Sequence, residues 1–154
     1  MRYRITPKQF KLIEQFVDQS GNLADLDLSD VKEQQIEQNK KNVNIILNMF
    51  MEKVLADNSI NARSMTSVNS ENYERVTVYF KFKRLTGGEI NGNLRIHNHE
   101  DKYMYIFELF EELDYEEINF YKHSYGSKSL KQLLSEISYS SEEIADNILK
   151  HINA

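Results

Sequence analysis

The chain contains no cysteine and no tryptophan, one proline and five glycines in 154 residues. Without cysteine there are no disulfides, no thiolate zinc or iron–sulfur sites and no thiol nucleophile. So little proline and glycine leaves scant room for flexible linkers or for the Gly-rich loops that cradle phosphates, and neither G-x-x-x-x-G-K nor G-x-G-x-x-G occurs. The serines form no G-x-S-x-G elbow. No apolar run approaches the ~18 residues of a membrane span. The first ten residues, MRYRITPKQF, lack the apolar core of a signal peptide. Together these absences lead us to expect a cytoplasmic, non-enzymatic protein with no cofactor.

What is present suffices for a folded core. Apolar residues make up 40% of the chain and charged residues 28%, a balance that suits one globular domain of this length. The net charge of −5 is uneven. Residues 1–57 carry −1, residues 58–100 carry +2 and residues 101–154 carry −6. An acidic chain with only a mildly basic centre is poorly suited to general nucleic-acid binding.

Periodicity divides the chain into a helical part (1–57), a sheet (58–125) and C-terminal helices (126–154), read as one α+β domain over 1–154. Thr6 and Pro7 mark the start of a first helix, with Phe10, Ile13, Phe16 and Val17 on one face. Ser29 or Asp30 is the expected cap of a long second helix over 30–56. Its first half is polar and expected to be solvated, and its second half is apolar. Ile36, Val43, Leu47, Phe50 and Val54 repeat at nearly 3.5 residues, so a core helix and a homodimer seam are both open readings.

Strands follow. Residues 60–69 are weakly β. Residues 75–85 alternate, with Val76, Val78, Phe80 and Phe82 on one side. A three-residue loop at Gly87-Gly88-Glu89 is expected to lead into a strand over 93–99. If Glu100-Asp101 is a two-residue turn, His99 opposes Lys102, Ile96 opposes Tyr105 and Leu94 opposes Phe107. All the apolar residues then share a face, as in an antiparallel meander of four or five strands. A helix over 103–113 competes with that strand. Residues 117–123 are a further strand. Two short helices then close the chain, the second capped by Ser140 and Glu143. His151 falls in the last turn, where a cation complements the helix dipole.

Three segments carry candidate chemistry. His97, His99 and Asp101 alternate, so a strand would put them on one side as metal ligands. The ligand string H-x-H-x-D-H of metallo-β-lactamase-type hydrolases breaks at Lys102, so two histidines on the polar face of a strand are the favoured reading, and a metal-dependent hydrolase at His97 and His99 is the third function considered. Tyr79, Lys81, Lys83, Arg84 and Arg95 combine cations with an aromatic, the composition that tracks a phosphate backbone and stacks a base. This gives a nucleic-acid-binding regulator, acting through the basic hairpin or the N-terminal helices, as the alternative function. The third segment, 103–125, holds eight of the 17 aromatics among six carboxylates. Tyr105, Glu108, Glu111, Glu112, Asp114, Tyr115, Glu116, Glu117 and Tyr121 are its candidate contacts. Tyrosine supplies contact area at low entropic cost, and carboxylates steer a basic partner. The leading expectation is therefore an inhibitor, immunity-type or accessory protein, such as a mobile element carries, that occludes a basic site on a protein partner.

Overall fold

The computed structural model describes residues 28–57, 60, 62–68, 72–100, 102–127 and 129–154. The expected helix around Phe10–Val17, with its Thr6-Pro7 start, lies outside these residues, as does Asp101. The described chain is α+β. Helix α1 (Leu28–Val54) leads into strands β1 (Ala62–Val68), β2 (Arg75–Lys83), β3 (Glu89–His99), β4 (Lys102–Leu113) and β5 (Glu116–Ser127), and helix α2 (Leu130–Ile152) follows. The strands form one antiparallel sheet in the order β1-β2-β3-β4-β5.

The β3–β4 register is the expected one: His99 pairs with Lys102, Ile96 with Tyr105 and Leu94 with Phe107. Residues 103–113 are strand, not helix. Alternation prevails there because Tyr103, Tyr105, Phe107 and Leu109 can all be buried on one face. The β2–β3 connection differs from expectation. Lys83 pairs with Glu89, so the loop has five residues, 84–88, with Gly87 and Gly88 at positive φ. The cause is tertiary: the Leu85 amide donates to the Ile152 carbonyl (3.1 Å) and Thr86 Oγ1 donates to the Ala154 carbonyl (3.4 Å). The end of α2 thus draws the loop out of the ladder. Phe80 and Phe82 keep the expected face, since pairing moved by an even number of residues.

Both helices contribute to the same core as that face. Ile46, Phe50 and Val54 of α1 and Leu133, Ile137, Ile144, Ile148 and Ile152 of α2 join Val76, Val78, Phe80, Phe82, Leu94, Ile96 and Phe107. The Phe50 ring lies 5.2 Å from Phe107 and 6.2 Å from Phe80. Burying one such side chain contributes ~1.5–3 kcal/mol. Three of the five residues on the expected dimer seam, Val43, Phe50 and Val54, are therefore buried in the domain's own core, while Ile36 and Leu47 are half-buried.

Three expectations about the helices fail. Helix α1 begins at Leu28, so Ser29 and Asp30 lie inside it. Its polar half is not wholly solvated, because Asn39 and Asn42 are buried. Asn39 donates to the Asn72 carbonyl (3.0 Å) and accepts from Asn98 (3.2 Å), while Asn42 donates to the Tyr103 hydroxyl (3.0 Å). The C-terminal segment is one helix of 23 residues, not two. Ser129 caps it by accepting from the Gln132 amide. Ser140 does not start a helix. Its hydroxyl donates to Glu136 one turn back, and Ser141 donates to the Ser138 carbonyl (2.8 Å). With the hydroxyls satisfied locally and no Gly or Pro between 130 and 152, nothing interrupts the helix.

Candidate functional site

The β4–β5 hairpin is longer than the sheet that supports it. Its last rung with β3 is Asn91–Phe110, and Glu111, Glu112 and Leu113 continue beyond that rung, paired only with β5. A bulge at Leu109/Phe110 leaves Phe120 as an extra residue on β5, which sharpens the local twist. Phe120 stacks on His151 (5.1 Å) and lies under the Arg84 guanidinium. Arg84 in turn holds Glu111 through two hydrogen bonds (3.1 and 3.3 Å). The base of the hairpin is thereby fixed to the end of α2 and to the β2–β3 loop.

The tip carries the chemistry. Asp114 (φ 51°) and Tyr115 (φ 67°) form its two-residue turn, both left-handed and neither a glycine. Such a turn matches the twist of a hairpin but favours Asn-Gly. Tyr115 is fully exposed (110%), Leu113 is 50% exposed and Ile118 41%. Glu112, Asp114, Glu116 and Glu117 surround them, all exposed. Glu112 is paired directly with Glu117 across the ladder, an arrangement that costs stability. Among the described residues, no cation pairs with either carboxylate.

The nine expected partner-contact residues therefore separate. Glu112, Asp114, Tyr115, Glu116 and Glu117 are together at the tip. Tyr105 is enclosed in the core and offers no surface. Glu108 is engaged by Arg95 (2.6 Å) and lies 3.8 Å from Lys122, and Glu111 is engaged by Arg84. Tyr121 is half-buried on the helix-covered face, where burial and the Glu143 carboxylate push its pKa up to about 12. Leu113 and Ile118 belong to the tip but were not expected there. The signal in the sequence was their position flanking the acidic turn, where strand alternation finds no core to face.

The basic group does not assemble as a unit. Tyr79, Lys81 and Lys83 share the sheet face opposite the helices, with Lys81 4.0 Å from Glu89. Arg95 is on that face too, but Glu108 engages it. Arg84 is in the loop, committed to Glu111 and Phe120.

His97 and His99 also occupy the face away from the helices, as alternation requires. Burial and the charges of Arg75 and Arg95 lower the His97 pKa. His99 is exposed, 3.9 Å from Glu74 and 3.9 Å from Glu100. Among the described residues, no three His, Asp or Glu side chains form a ligand group. His151 departs from the expected role of a helix-end cation. Burial, Lys150 and Arg84 lower its pKa and favour the neutral ring that stacks on Phe120.

Among the described residues, no helix is long and apolar enough to cross a membrane. Set beside protein-family models, the curated proteins and the solved structures, the chain matches none of them.

Proposed function

We propose that the protein binds another protein by inserting the β4–β5 tip into a basic cleft, and so occludes that cleft. The reading rests on one coincidence: Tyr115, fully exposed and held in a left-handed turn, stands among four exposed carboxylates on a hairpin that outruns its sheet. Aromatic anchors of this kind dominate interface energetics when a partner pocket encloses them. The surrounding charges add steering and selectivity for a basic surface. A left-handed non-glycine pair and a like-charge cross-strand pair each weaken the free protein. Violations of local preference on a fixed scaffold are what a recognition element shows.

The test is co-purification from host lysate, followed by affinity measurement with the captured partner. Tyr115→Ala should weaken binding by ~2 kcal/mol or more, the scale of an interface hot spot. The triple variant Glu112→Gln, Glu116→Gln, Glu117→Gln should bind less tightly and with a flatter salt dependence. If both variants match the wild type in affinity and salt response, the tip is not the binding element.

A further inference from the structure

A second feature stands apart from the tip. A groove of about 1030 Å³ lies between the β3–β4 turn, the end of β5 and the first turns of α2. Helix α2 contributes the stripe Lys131, Ser135 and Tyr139, spaced four residues apart along one side. By strand alternation Tyr103 and Tyr125 reach the groove from the helix-covered face and Met104 from the opposite face. Gly126, on the edge strand opposite Met104, adds no side chain between them.

The lining has an apolar part and a cationic part. Tyr103, Tyr125, Tyr139 and Met104 supply aromatic and thioether surface. Tyr139 is 89% exposed and Met104 40%, apolar surface of the sort that marks ligand sites when it is contiguous and concave. Lys102 and Lys131 supply charge, and among the described residues neither is paired with a carboxylate. Glu136, the carboxylate on the lining, already accepts from the Tyr105 and Ser140 hydroxyls and lies 3.2 Å from His123.

Lys131 also sits against expectation for a helix. It occupies the first turn of α2, which has no acidic residue, whereas α1 has Asp30 in its first turn. A helix N-terminus carries a partial positive charge, so a lysine there is unfavourable on its own. An anion in the groove would offset both. The volume matches the upper end of small-molecule pockets, ~300–1,000 Å³.

We propose that this groove binds a small amphiphilic anion. A planar aromatic body lies against Tyr125 and Tyr139 on the helix side, Met104 closes the groove from the other side, and a carboxylate, sulfonate or phosphate group is held by Lys102 and Lys131. Aromatic faces and a methionine sulfur favour a flat ring system, and the two ammonium groups require the negative charge.

Two fluorescent probes with one aromatic body test this on the full chain. 8-Anilinonaphthalene-1-sulfonate carries the anion, and N-phenyl-1-naphthylamine lacks it. The sulfonate should bind saturably at one site and about tenfold more tightly than the neutral probe, the scale of one charge-assisted contact. Lys102→Gln with Lys131→Gln should remove that preference and leave the neutral probe unaffected. Tyr139→Ala should weaken both probes. All three side chains are exposed, so the substitutions spare the fold, which a melting curve verifies. Equal affinity for the two probes, unchanged sulfonate binding in the lysine variant, or the absence of saturable binding would each overturn the proposal.

Discussion

The Tyr105 hydroxyl, on a core side chain of β4, donates to the Glu136 carboxylate on α2. Ser140 donates to the same carboxylate, and His123 Nε2 lies 2.9 Å from the tyrosine oxygen and 3.2 Å from Glu136. One carboxylate therefore satisfies groups from β4, β5 and α2. Tyr105→Phe removes one donor from Glu136 and should cost ~1–2 kcal/mol. Glu136→Ala leaves the buried Tyr105 and Ser140 hydroxyls without their acceptor and should cost more, ~3 kcal/mol. Urea unfolding midpoints check the order. If Glu136→Ala were the milder change, the carboxylate would not be what holds α2 to the sheet there.

At the hairpin tip, stability and the proposed function pull in opposite directions. Asp114 and Tyr115 both sit at positive φ, and Tyr115 is fully exposed, so replacing it uncovers no core. Replacing the pair by Asn-Gly supplies the residues that such a turn favours. The double variant Asp114→Asn, Tyr115→Gly should gain ~1 kcal/mol, the scale of relieving a left-handed non-glycine residue. Thermal melting reads the gain. The same variant should bind the captured partner more weakly, so its two readouts should move apart.

The sequence showed most where one local rule decided the outcome. A two-residue turn and period-two alternation fix the β3–β4 register, so the sequence alone pairs Ile96 with Tyr105. The same alternation placed His97 and His99 on the outer face. Composition alone marked Glu112, Asp114, Glu116 and Glu117 as exposed, because four acids in six residues cannot be buried. Which aromatics stay outside was not legible. Tyr105 and Tyr115 share a segment, yet one is enclosed and the other fully exposed, because only the first lies where helices cover the strand. The length of the β2–β3 loop was likewise set by a distant partner, the carbonyl of Ile152. The continuity of α2 depended on hydroxyls finding acceptors within the helix, a choice that Ser-Tyr-Ser-Ser leaves open. The buried asparagines of α1 resemble solvated residues until Asn98 and Tyr103 are brought against them.

Gly92 lies in the middle of β3, opposite Phe80 and Leu109. It needs no unusual backbone angle there. Its constraint is space, since a Cβ at this position would come within 2.7 Å of Phe82 Cε2 and 3.5 Å of both Phe107 Cε2 and Phe80 Cβ. Phe82 is completely buried and stacks on Phe80 at 6.0 Å, so the ring has little freedom to yield. Gly92→Ala should therefore destabilise by ~1–3 kcal/mol, the cost of overpacking a filled core. The smaller Phe82→Leu change in the same chain should recover part of the loss, measured as a non-additive double-mutant cycle.

Two histidines should make the fold sensitive to mild acid. His97 is lowered by burial, then Arg75 and Arg95, and His151 by burial, then Lys150 and Arg84. In the unfolded chain each returns to the ordinary value of 6.5. As pH falls below 6.5 the unfolded chain takes up protons that the folded chain refuses, so stability is lost in that direction and is fully present above it. Carboxylates titrate lower, near ~4, which leaves a window where histidine dominates. The melting temperature of the wild type should decline from pH 6.5 downward. The variant His97→Asn, His151→Gln should decline less steeply across the same interval, whatever its absolute stability. Equal slopes for the two proteins would mean that neither ring is held neutral by the fold.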